Sequence, residues 1–146
     1  MNKRQAYLDL QEEQRKEIEE FPIAYAFSKE QLEEDLKKLD AKREECVTIF
    51  NHGDIVKKEN APKFIDMLKR HTKEVQDELI KGEEFAEAAF LYEMDNHEYA
   101  INWDGDADVL GCFSLSEKDI VNKGLDRAYR RARNKHMKHA REWDMI

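Results

Sequence analysis

Four residues within a span of six, Glu93, Asp95, His97 and Glu98, carry side chains suited to proton transfer or metal binding. A carboxylate beside an imidazole can relay a proton, and the same pair suits a divalent cation. No further group of His or Cys adjoins them in the chain to complete a ligand set. A polar hairpin tip uses the same residue types, and these four are read as such a turn. Asp104, Asp106 and Asp108 alternate like the opening of a calcium loop. That loop requires Gly at its sixth position and Glu at its twelfth, where this chain has Val109 and Leu115. Asp35-Leu36-Lys37 has the spacing of a nuclease carboxylate and lysine, but it falls on a predicted helix rather than a strand. Cys46 and Cys112 have no ligand-like spacing and are expected to be reduced, buried thiols. The residues therefore give no catalytic set, no cofactor motif and no metal site.

Charge is the stronger signal. Of the 146 residues, 40% are charged, against roughly 25% in ordinary domains. The net charge of −8 is unevenly placed. From Glu83 to Glu117 there are ten carboxylates and no Lys or Arg. From Arg127 to Ile146 there are seven basic and two acidic residues, a net of +5, which leaves −13 on the rest. Such segregation steers charged partners, and it also allows the basic helix to lie over the acidic stretch of its own chain. The acidic stretch argues against direct binding to nucleic acid, whose phosphates it would repel.

The elements that must position these groups form a single predicted domain over residues 1–146. It is α+β, a small antiparallel sheet flanked by helices, with a peripheral N-terminal helix over 1–20 and an α+β core over 21–146. The first helix carries a thin stripe of Tyr7, Leu10, Ile18 and Phe21 and should stop before Pro22. Ser28 and Gln31 have capping-box spacing for a second helix. There Leu32, Leu36 and Leu39 face inward, and Glu30, Glu33, Glu34 and Asp35 outward. Cys46–Phe50 and Ile55–Lys58 are expected as short strands about the turn at Gly53, and Asn60 and Pro62 open a third helix. Phe85–Met94 and His97–Trp103 alternate with period two and are expected as the central strands. Phe90, Tyr92, Ile101 and Trp103 should then be buried against Leu125 or Ala128 of the last helix, whose cap is Ser116. Asp106 or Asp108 would cap a short helix before it.

No apolar run approaches the roughly 20 residues needed to span a bilayer, and the N-terminus lacks a signal-peptide core. The expected location is the cytoplasm, with no membrane partner.

Several short patterns occur together: Ala26-Phe27-Ser28-Lys29-Glu30-Gln31-Leu32-Glu33-Glu34, Phe50-Asn51-His52-Gly53-Asp54 and Tyr92-Glu93-Met94-Asp95-Asn96-His97-Glu98-Tyr99. Asn102-Trp103-Asp104 and Asp108-Val109-Leu110-Gly111-Cys112-Phe113 extend them. With these the chain resembles a family of small proteins of bacterial phages and other mobile elements. Small acidic proteins of that origin are similar as a class to anti-CRISPR proteins. The resemblance implies a non-enzymatic inhibitor of a host nucleic-acid-processing defence complex, with a CRISPR effector as the expected partner. The acidic stretch would supply its partner-binding residues, Glu93, Asp95, Glu98, Asp104, Asp106 and Asp108. The alternative is a helical accessory or regulatory protein that binds a partner or forms a homo-oligomer through its helices.

Overall fold

In the computed structural model, which describes residues 2–146, an α+β chain combines seven helices with one three-stranded antiparallel sheet. The order is α1 (Lys3–Glu20), β1 (Ile23–Tyr25), α2 (Lys29–Lys38), β2 (Cys46–Val47), β3 (Asp54–Lys57), α3 (Ala61–Lys81), α4 (Glu83–Asn96), α5 (Gly105–Gly111), α6 (Glu117–Asn122) and α7 (Asp126–Glu142). Short 3-10 turns lie at Arg43–Glu45 and Tyr99–Ile101. Among the described residues, no helix is long and apolar enough to cross a membrane. The chain divides into two compact units. One takes in the N-terminal residues to Glu12 and Thr72–Ile146; the other is Glu13–His71.

The smaller unit holds the whole sheet, in the order β1-β3-β2. Ile23 pairs with Val56 and Tyr25 with Asp54, while Val47 pairs with Val56 from the other side. Ile55 and Val56 of β3 are buried, as are Phe64 and Met67 of α3, and Phe21 packs edge-on against Phe64. Asp54 organises the turn that leads into β3. Its carboxylate accepts from the backbone N–H groups of Ile49, Phe50 and His52 and from the Thr48 hydroxyl. Gly53 precedes it with φ +85, and an added Cβ there would stand 2.8 Å from the Ala26 carbonyl oxygen. Ser28 caps α2 as its sequence predicts, accepting from Gln31 N–H. Asp35, in contrast, is buried rather than solvated, and its Oδ2 has no hydrogen-bond partner. It lies three residues from Leu32 and four from Leu39, and so shares their face of the helix.

The larger unit corrects the expected central strands. Residues 83–96 are helical, and residues 97–103 form a 3-10 turn with its flanks. The buried positions of α4 are Phe85, Ala86, Ala89, Phe90, Glu93 and Met94, the pairs four residues apart that a helix face requires. Phe90 joins Leu125 and Ala128 in the core, but Ile101 and Trp103 are exposed, Trp103 completely. After α4 the chain turns at Glu98 in the left-handed region (φ 51), so these two side chains lie on no sheet face. The last helix is also two helices. Ser116 and Asp119 form a full capping box for α6, and Gly124 (φ +69) then ends it before α7. The break leaves Val121 of α6 exposed.

The helix α1 is as thin as its sequence suggests, with Tyr7 as its buried residue. That ring lies 5.7 to 6.1 Å from those of Phe113, Tyr92 and Phe85.

Two outcomes follow for stability. Tyr7→Ala should lower the unfolding free energy by about 3–5 kcal/mol, the range for removing a buried aromatic ring. For Asp54, burial alone would raise its pKa, but the four donors outweigh it and hold the carboxyl well below the ordinary range. A depressed folded value gives stabilisation that is complete above the unfolded value of about 3.9 and fades as pH falls below it. Asp54→Asn should therefore cost about 2 kcal/mol at pH 7, with the gap to the parent narrowing at pH 3. Urea midpoints at the two pH values measure this, and equal midpoints at pH 7 would refute it.

Candidate functional site

The helices α4 and α7 carry the acidic and basic charge, and they bind each other. Glu83 pairs with Arg127 Nε at 3.2 Å and Arg131 at 3.7 Å; Glu87 meets Lys135 Nζ at 3.1 Å. Asp95 takes His136 Nδ1 at 2.7 Å and His139 Nδ1 at 3.0 Å. The pairs climb both helices in the same direction, so the helices run parallel. Ala86 and Ala89 on one, with Ala128, Ala132 and Ala140 on the other, are fully or nearly fully buried, and small side chains allow close approach. Self-pairing of the basic helix with the acidic stretch is thus what the structure shows. His136 is wholly buried, and its Nε2 accepts the Ala100 backbone N–H at 2.9 Å. Nδ1 must then hold the proton and donate it to Asp95.

At the C-terminal end of α4, Glu93 and His97 stand one turn apart on one face. Cys112, at the end of α5, reaches the same point. Its Sγ is 3.2 Å from Glu93 Oε2 and 3.3 Å from His97 Nε2, and His97 Nε2 is 3.3 Å from Glu93 Oε2. The other Glu93 oxygen accepts from Tyr7 OH at 3.1 Å, and Tyr7 OH accepts from Gln11 Nε2 at 2.9 Å. Burial, then the Glu93 carboxylate that its S–H faces, pushes the Cys112 thiol up to about 12. It is therefore protonated at neutral pH and unlike an activated nucleophile. Cys46 is buried as expected, whereas Cys112 as a residue is exposed, with its sulfur turned back toward Glu93. Among the described residues, Glu93, His97 and Cys112 are the group that could hold a metal ion. The sequence displayed Glu93 and His97 as neighbours but gave no sign that Cys112 joins them.

The six acidic residues expected at a partner surface divide. Glu93 is buried and Asp95 is held by two histidines. Glu98, Asp104, Asp106 and Asp108 are exposed, the first two on the turn and loop that include Trp103 and the last two in α5. Asn102 braces this segment: its Nδ2 donates to the His97 carbonyl at 3.1 Å and to Asp108 at 2.8 Å, and its Oδ1 accepts from Asp104 N–H at 3.0 Å. Asp104 occupies the N-cap position of α5 without a side-chain cap, and Asp106 and Asp108 lie in the first turn, where negative charge suits the helix dipole. Asp106 accepts from both Tyr99 OH and Tyr129 OH.

Residues 6–135 match the model of a family of unknown function, DUF7659, and the chain belongs to that family. No curated protein and no solved structure matches it.

The two phenols on Asp106 provide a titration. Burial and then the Asp106 carboxylate raise both above their ordinary value. A raised folded value means stabilisation that is complete below the unfolded value of about 10 and lost as pH rises beyond it. Ultraviolet titration of the phenols should show Tyr99 and Tyr129 ionising at higher pH than an exposed tyrosine. In Asp106→Asn, which removes the charge, they should ionise at lower pH; an unchanged titration curve would contradict the assignment.

Proposed function

We propose that the protein is a non-enzymatic binding protein that inhibits a nucleic-acid-processing host complex by seating its 98–108 segment on a basic surface. The observation that carries this reading is Trp103. It is fully exposed, Ile101 beside it is half exposed, and Glu98, Asp104, Asp106 and Asp108 surround them in sequence. Tryptophan is enriched among residues that dominate binding energy, because its large rigid ring loses little freedom when covered. Carboxylates around such an anchor favour a positively charged partner, speed encounter and reject other partners. A surface that normally tracks a phosphate backbone offers that charge. The resemblance to mobile-element proteins points to a CRISPR effector as the partner class and the host cytoplasm as the setting. Membership of the family brings no activity with it. The pairing of α4 with α7 places Glu83 and Glu87 in internal ion pairs and Asp95 in hydrogen bonds to His136 and His139, so the binding charge is that of the 98–108 segment.

The test is binding of the purified chain to purified CRISPR effector complexes, at low and physiological salt. Trp103→Ala should weaken binding by about 2 kcal/mol or more, as an anchor residue does. Neutralising Glu98, Asp104 and Asp108 together should slow association and flatten the salt dependence. Target nucleic acid should compete. Full affinity in both variants, with no competition, would remove this reading and favour the helical accessory protein.

A further inference from the structure

We propose that Glu93, His97 and Cys112 form a binding site for a zinc-class divalent cation, with a fourth position open to solvent. This goes beyond the binding role of the 98–108 segment and does not depend on it. Zn–S bonds of about 2.3 Å and Zn–N and Zn–O bonds of about 2.0–2.2 Å place tetrahedral ligand atoms about 3.3–3.6 Å apart. The three donor atoms here are separated by 3.2, 3.3 and 3.3 Å, a nearly equilateral face of that size. A cation above this face meets all three with shifts of a few tenths of an ångström.

The donor chemistry selects the metal. One sulfur, one imidazole nitrogen and one carboxylate oxygen suit zinc and late first-row cations; magnesium and calcium prefer oxygen sets. The elements are stiff enough to hold the arrangement. Glu93 and His97 are fixed by helical spacing, and the His97 N–H still bonds the Glu93 carbonyl at 2.9 Å. Cys112 is placed by α5, whose Val109 and Leu110 are buried. The outer support is also present. Tyr7 OH donates to the Glu93 oxygen that does not face the sulfur, and Gln11 donates to Tyr7. Such hydrogen bonds orient a ligating carboxylate. Glu93 itself is 5% exposed, so a buried carboxylate gains a cation in place of a neutral S–H donor. On binding, the thiol proton passes to solvent and the thiolate becomes the ligand. His97 is part-exposed and Cys112 exposed, so the fourth position is reachable by water or an incoming donor.

The experiment uses the full chain, stripped with EDTA and titrated with cobalt(II) and then zinc. One cobalt per chain should bind with a near-ultraviolet thiolate-to-cobalt band, and zinc should abolish that band by displacement. Excess magnesium should not. Cys112→Ser should lose the band, His97→Ala should lose binding, and Cys46→Ser should behave as the parent. Tyr7→Phe, which keeps the ring and removes the hydroxyl on Glu93, should weaken zinc binding about 10- to 100-fold. Absence of the band in the parent chain would overturn the proposal. So would a band that survives Cys112→Ser.

Discussion

A buried imidazole with both nitrogens committed sets the larger unit. His136 accepts from the Ala100 N–H on one side and donates to Asp95 on the other. Removing either partner leaves a polar atom without water or hydrogen bond in the interior, which is costly. The ring therefore fixes three things together: α7, the end of α4, and the 3-10 turn at Tyr99–Ile101. The alanines of α4 and α7 let the helices come close, but alanine faces can slide. Directional bonds from a wholly buried side chain give the pair its register.

Everything chemically distinctive sits just beyond that anchor. Glu93 is two residues before Asp95 and His97 two after. The acidic segment with Trp103 begins at Glu98, immediately before the turn whose Ala100 N–H is bonded to His136. The same lock that pairs the helices thus holds the Glu93–His97–Cys112 cluster and the base of the exposed loop. Charge segregation along the chain has a corresponding division of labour. Carboxylates on α4 neutralise α7, and those between Glu98 and Asp108 are left for solvent or a partner.

The smaller unit was largely legible from local signals. Ser28 with Gln31 and Gly53 before a β-branched pair each act through their own neighbours. The α4 region was not, because Phe90, Tyr92 and Met94 imitate a period of two over five residues. A better signal was composition: from Glu83 to Ala100 there is no Val, Ile or Thr, and Ala and Glu make up nine of the eighteen residues. These are helix formers, and β-branched residues are what a central strand normally recruits. The false strand period also hides the site. On a hairpin, Glu93 and His97 face each other across a turn; on a helix they share a face. Cys112 arrives through a separate helix, so its approach is a tertiary event with no local signature. The exposure of Trp103 was equally hidden, since a lone tryptophan in an acidic segment reads the same inside or out.

The central claim is that the His136–Asp95 bond couples α4 to α7. A double-mutant cycle in urea unfolding tests it most directly, using Asp95→Ala, His136→Ala and the pair. The account predicts that the double variant loses less than the sum of the single variants, with a coupling of about 1–3 kcal/mol. Losses that add to within about 0.5 kcal/mol would show that the two side chains act independently, and would contradict it.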